Sequence, residues 1–100
     1  ITNSGKIDLN GKDGFIIYTK GNGSVTNNGT LEIGEDSSNS HGIYMSETAT
    51  GTVLNDLKGI INVKGTNSSG MTLASDTDTV SITNKGKINV DGTGSKGIPQ

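Results

Sequence analysis

Cysteine and arginine are both missing from these 100 residues, and each absence excludes a class of chemistry. Without Cys there is no disulfide framework and no thiolate metal site. Without Arg, and with a net charge of -2, no basic stripe exists to neutralise phosphates, which argues against nucleic acid and against an anionic membrane surface. Only 28% of residues are hydrophobic and three are aromatic, so any core must be thin. The longest unbroken run of large apolar or aromatic residues, Phe15 to Tyr18, is far shorter than the roughly 20 residues a spanning helix needs, so no membrane insertion is expected of this stretch. No signal peptide opens the chain, which starts and stops in mid-pattern; targeting signals are expected outside it.

What is present is half Gly, Asn, Ser and Thr, a mixture that would suggest disorder if it were not ordered into repeats. "ITNSGKIDL" from Ile1 returns as "VTNNGTLEI" from Val25 and "ITNKGKINV" from Ile82, with "VLNDLKGIINV" from Val53 as a longer copy. Asn3, Asn27, Asn55 and Asn84 align at separations of 24, 28 and 29 residues. A second marker, Gly14, Gly42, Gly70 and Gly97, is followed each time by an apolar residue at separations of 28, 28 and 27.

Within each copy the apolar residues occupy every second position, the period of a strand with one buried face. Ile1, Asn3, Gly5, Ile7 and Leu9 share that face, so Asn is expected on the buried side. The third copy carries two extra residues between Asn55 and Gly59, an insertion that preserves the facing of everything after it. It predicts an outward excursion, with Leu57 able to join the interior. The second strand of each unit predicts Phe15, Ile17, Ile43, Met45, Met71 and Leu73 inward, and Ile16, Tyr44 and Thr72 outward.

A short unit of this kind cannot bury its apolar face alone and must stack on its own copies. The expected fold is therefore all-β, a parallel β-helix solenoid, right-handed as such coils usually are. Its four coils of 24 to 29 residues span about 1–24, 25–52, 53–81 and 82–100, with ends open to end-to-end self-association. Stacking at about 4.8 Å would align the four Asn as a structural ladder, each amide donating to one neighbour and accepting from the other. The rival is an antiparallel meander with hairpins at Asn10-Gly11, Asn22-Gly23 and Asn28-Gly29.

Candidate sites are few. Tyr18 and Tyr44, with Ile16, form either an exposed patch that stacks on a ligand or a cluster packed under a turn, and His41 lies in the polar turn "EDSSNSHG", where it is expected to be a turn residue. These three are the ligand-binding candidates. Asp8 and Glu32 occupy equivalent outward positions, a spacing that suits a retaining glycosidase and also arises in any ladder; Asn62 and Asn89 continue the row. Glu35-Asp36, Asp76 and Asp78 offer oxygens but no calcium-loop spacing, and "DGTG" at Asp91 lacks a nonapeptide recurrence. Thr48-x-Thr50 and Thr77-x-Thr79 form a row too short for an ice-binding face. No metal site, cofactor or catalytic residue is expected.

The strands "TNSGKIDL", "TNNGTLEI" and "TNKGKINVDG", each followed by Gly and an apolar residue, resemble repeats in the passenger regions of large bacterial autotransporter adhesins, fusobacterial ones above all. The resemblance implies a secreted cell-surface stalk anchored through an outer-membrane barrel outside this segment. It also implies attachment to a host-cell or bacterial surface protein or glycan. A carbohydrate-active β-helix and a pure spacer are the alternatives.

Overall fold

The computed structural model describes residues 1–74 and 80–99; Asp76, Thr77, Asp78 and Thr79 therefore lie outside the described residues. Among the described residues eleven strands follow one another: β1 (Thr2–Asn3), β2 (Lys6–Leu9), β3 (Phe15–Gly21), β4 (Val25–Asn27), β5 (Thr30–Ile33), β6 (His41–Ala49), β7 (Thr52–Asn55), β8 (Ile60–Val63), β9 (Ser69–Leu73), β10 (Ser81–Asn84) and β11 (Lys87–Val90). They pair into three sheets, β1-β4-β7-β10, β2-β5-β8-β11 and β3-β6-β9. Every strand pairing is parallel, so the chain is a three-sided β-solenoid of three complete turns plus the two strands and a single bridge of a fourth. The antiparallel meander is ruled out, because the Asn-Gly pairs do not close hairpins; Asn28-Gly29 is the corner between β4 and β5.

The register puts like on like. Ile7, Leu31, Ile61 and Ile88 form one interior row, and Leu9, Ile33, Val63 and Val90 the next. Ile17, Ile43 and Met71 line the third sheet, followed by Thr19, Met45 and Leu73. Rows close over the middle coils, where Leu31, Ile33, Ile43, Met45, Ile61, Val63 and Met71 are fully buried. At the outer coils the same rows lack a lid, which is why Ile7, Leu73 and Val90 keep more than a third of their surface although they sit at inward positions.

Two corners are built from polar ladders. At the corner between the first two sheets stand the four asparagines, in register. At the corner between the second and third sheets the chain adopts a left-handed conformation once per coil, at Asp13 (φ 56°), Asn39 (φ 52°), Asn67 (φ 50°) and Gly94 (φ 72°), residue types that tolerate it. The next residue is Gly14, Ser40, Ser68 or Ser95, and these too are tied coil to coil. Gly14 N–H donates to Ser40 Oγ (3.1 Å), Ser40 N–H to Ser68 Oγ (3.1 Å) and Ser68 N–H to Ser95 Oγ (2.9 Å). The "DGTG" stretch at Asp91 leads into this corner, and its glycines are turn glycines. Ser68 is buried and also donates to the Thr66 carbonyl (3.0 Å), so Ser68→Ala removes an acceptor from a buried N–H and a donor from a carbonyl. A loss of about 1–3 kcal/mol is expected in a urea melt, and an unchanged midpoint would show that this ladder carries no stability.

Several side chains depart from the period-2 expectation. Phe15 points out (41% exposed), whereas Ile16 packs against the core. The cause is the register, which pairs Phe15 with His41 and Ile17 with Ile43. Gly14 is thereby equivalent to Ser40, and Ile16 is the true counterpart of Gly42; the glycine marker is displaced by two residues in the first coil. The strand starts at a bend where two consecutive residues, Ile16 and Ile17, both face inward. Leu57 does not join the interior: the two-residue insertion makes a turn, closed by Gly59 N–H to the Asp56 carbonyl (2.8 Å), with Leu57 at its tip and 79% exposed.

Candidate binding surface

The chain contains one Phe, two Tyr, no Trp and one His, and the fold gathers all four rings on the outer face of the third sheet. Two outward rows cross the strands. The first runs Phe15, His41, Ser69 and Lys96, and the second Tyr18, Tyr44 and Thr72. Within rows the rings are nearly parallel: Phe15 and His41 at 5.3 Å and 12°, Tyr18 and Tyr44 at 5.4 Å and 14°. Between rows they meet edge to face, Phe15 with Tyr18 at 5.1 Å and 70°, His41 with Tyr44 at 4.9 Å and 63°. Phe15 and Tyr44 close the array at 4.9 Å. All five contacts fall in the range favoured by the ring quadrupole.

Phe15 and Tyr18 are exposed, His41 and Tyr44 half-buried. Tyr18 and Tyr44 therefore lie on a sheet face and not under a turn, and His41 is the first residue of β6, not a turn residue. His41 Nδ1 shares a hydrogen bond with Thr72 Oγ1 at 2.8 Å, a neutral partner from the next strand. Burial lowers the His41 pKa below its ordinary value, so the imidazole is uncharged at neutral pH. Above about pH 6.5 neither the folded nor the unfolded chain carries this proton; as pH falls the unfolded chain takes it up first, and stability drops until the pH passes the folded pKa. Wild type is therefore expected to lose stability on acidification from about pH 6.5 more steeply than His41→Phe, which keeps a ring and removes the titration. Parallel pH–stability curves for the two would contradict it.

The Asn column is assembled by the first two sheets. Asn3 Nδ2 donates to Asn27 Oδ1 (2.9 Å), Asn27 Nδ2 to Asn55 Oδ1 (2.9 Å) and Asn55 Nδ2 to Asn84 Oδ1 (2.8 Å), all in one direction. Asn3, Asn27 and Asn55 are buried, and Asn84 is exposed at the last coil. Each also binds its own corner: Asn27 Nδ2 donates to the Gly29 carbonyl (3.0 Å), and Gly29 N–H returns to Asn27 Oδ1 (3.3 Å). This arrangement satisfies a buried amide, and its chemistry is structural.

The acidic pair is likewise part of a ladder. Asp8 and Glu32 stand side by side in register, with Asn62 and Asn89 below. Asn62 Nδ2 donates to Glu32 Oε1 (3.3 Å), Asn89 Nδ2 to Asn62 Oδ1 (3.0 Å), and Lys64 and Lys6 lie 3.7 and 3.6 Å from Glu32 and Asp8. These are exposed or half-exposed pairs of small energetic weight. Glu35 and Asp36 sit on an exposed turn, and among the described residues no three His, Cys, Asp or Glu side chains converge. A cleft lies at the first corner, lined by Ser4, Asn28, Asp56, Leu57 and Lys58.

Phe15 is the ring that the sequence reading places inside. The signal that locates it is the corner motif, "GKDG", "SSNS", "GTNS" and "GTGS", which recurs once per coil and sets Gly14 beside the serines.

A three-sided parallel solenoid places the chain among the repeat-built proteins whose coils stack on their neighbours. The chain belongs to the BigA fourth domain family, whose pattern it matches over residues 1–95. That family points to a bacterial cell-surface protein of adhesin type. No curated protein and no solved structure matches the chain.

Proposed function

We propose that this chain is an adhesive segment of a secreted autotransporter passenger, held at the outer membrane through a barrel elsewhere in the protein, and that it supports attachment to host cells or other bacteria. Family membership supports the surface-adhesin class, and the likeness of its strands to passenger repeats supports the finer reading. One observation carries the attachment role: every Phe and Tyr of the chain, with its single His, stands in one contiguous patch on the outside of the solenoid. The ring pairs also steady the sheet across β3 and β6, and Phe15 and Tyr18 remain exposed, where aromatic rings are a common anchor at binding surfaces. The role is non-enzymatic, since the Asp8–Glu32 pair is tied to lysines and amides along a strand face.

Beads coated with the chain should bind epithelial cells or bacterial partners, and a Tyr18→Ala/Tyr44→Ala double variant should lower bead capture by about tenfold. Wild-type beads that capture nothing would favour a spacer.

A further inference from the structure

We infer that the aromatic patch is a sugar-stacking subsite that takes a neutral, β-linked hexopyranose of the glucose or galactose type. This rests on the adhesive reading and names the chemistry of its ligand. A pyranose of that kind has a flat face of C–H bonds edged by hydroxyls, and the patch carries the complement of both. The rings supply aromatic surface at one end of the two rows; within each row they face one another at 5.3 and 5.4 Å, so the faces open to a sugar are the outer ones of each pair. Hydroxyls supply the rest: Tyr18 and Tyr44 carry their own, and the rows continue on β9 as Ser69 and Thr72. Thr72 Oγ1 already holds His41 Nδ1, which fixes the imidazole plane beside Phe15 and leaves Nε2 without a partner among the described contacts. Along each row two rings are followed by a hydroxyl at the strand spacing of about 4.8 Å, so an extended ligand would lie across the strands, along the solenoid axis.

Charge selects the neutral sugar. The four rings carry no formal charge at neutral pH, and the ions flanking them along the chain are of mixed sign: Lys12 and Asp13 before Phe15, Lys20 after Tyr18, Glu47 after Tyr44. Lys96 lies at the far end of the first row, one strand beyond Ser69. Among the described residues no concentrated field stands beside the rings to hold a polyanion or a basic peptide, and the absence of Arg removes the usual bidentate grip on an acidic sugar. A peptide anchored by a buried side chain would need a pocket, and the cleft beside Leu57 is at a different corner of the solenoid. The rings stand on a sheet bonded on both sides of β6, so little freedom remains to be lost on binding.

The test is an NMR titration of the chain with lactose, cellotriose and 3′-sialyllactose, using saturation transfer to sugar C–H protons and the shifts of the Ser69, Thr72 and ring resonances. Lactose or cellotriose should receive saturation on one ring face. Tyr44→Ala should weaken binding about tenfold, Tyr44→Phe much less because the ring is kept, and Leu57→Ala at the distant cleft not at all. Tyr44 is half-buried on the surface, and a preserved β spectrum shows that the variants fold. Binding confined to sialyllactose and lost in Lys96→Ala overturns the neutral class. Tyr44-dependent capture of cells with no saturation of any sugar overturns the glycan and leaves the adhesive reading with a protein partner. Sugar binding that needs Tyr44 without capture of any cell overturns the adhesive reading and keeps the subsite.

Discussion

Replacing Asn55 by Asp is expected to lower the unfolding free energy by about 3–5 kcal/mol at neutral pH, and Asn55→Ser by only about 1–2 kcal/mol. Asn55 is fully buried, and its Nδ2 faces three acceptors: Asn84 Oδ1 (2.8 Å), the Lys87 carbonyl (3.2 Å) and the Gly59 carbonyl (3.4 Å). A carboxylate oxygen at that point meets only lone pairs, with no cation to offset them. Folding then requires the acid form, which raises the pKa of the new group. Its destabilisation is greatest above the folded pKa and fades as the pH falls toward the ordinary carboxylate value. Serine behaves differently. Asn27 Nδ2 keeps the Gly29 carbonyl at 3.0 Å, and Asn84 Oδ1 keeps Gly86 N–H at 3.2 Å, so each neighbour retains a partner. Thermal melts at neutral and mildly acidic pH check both claims; equal midpoints for the two variants would sink the ladder as a stabilising device.

The second large effect separates two glycines at the same place in the repeat. Gly29→Ala should cost at least about 2 kcal/mol, because a Cβ there would fall on the Gly5 carbonyl oxygen and close to the Gly5 nitrogen. Gly5→Ala meets nothing within 4 Å and should change the denaturation midpoint little. Neither residue has a positive φ, so backbone freedom plays no part in the difference. Gly59 and Gly86 are hemmed in the same way, by the Asn27 and Gly59 carbonyls. The glycines that follow Asn27, Asn55 and Asn84 are thus demanded by the coil stacked before them, whereas Gly5 meets no such neighbour in this structure. Equal effects at positions 5 and 29 would mean that the glycine serves its own corner and not the stack.

Both predictions concern the part of the molecule that was most legible in the sequence. Alternation places residues on faces, and an Asn recurring among inward positions has no satisfactory partner other than its own copy. From those two facts follow the parallel stacking, the ladder and the interior rows beginning at Ile7 and Leu9. The third sheet was harder to read. Its glycine marker recurs with nearly even spacing, yet in the first coil Gly14 belongs to the corner and Ile16 to the strand. Even spacing is weak evidence when corners differ in length: the misplaced marker sets Phe15 level with Ile43, whereas its true neighbour is His41, ahead of the point where two consecutive residues, Ile16 and Ile17, turn to the core and break the alternation. Leu57 failed for a related reason: alternation predicts facing only along a strand, and the insertion is a turn.

The candidate site was legible in part: Tyr18 and Tyr44 were grouped in one patch with Ile16, but strand alternation puts Phe15 inside and nothing local joins His41 to the ring at position 15. Lateral register does, since it sets Phe15 on His41 and Tyr18 on Tyr44. By itself the sequence determined the repeat, the buried asparagines and the parallel coil, because these depend on periodicity and on a polar group's need for a partner, both written along the strand. The tertiary structure alone decided that the rings meet on one outer face, because neighbours across a solenoid are chosen by how many residues each corner consumes before the next strand begins.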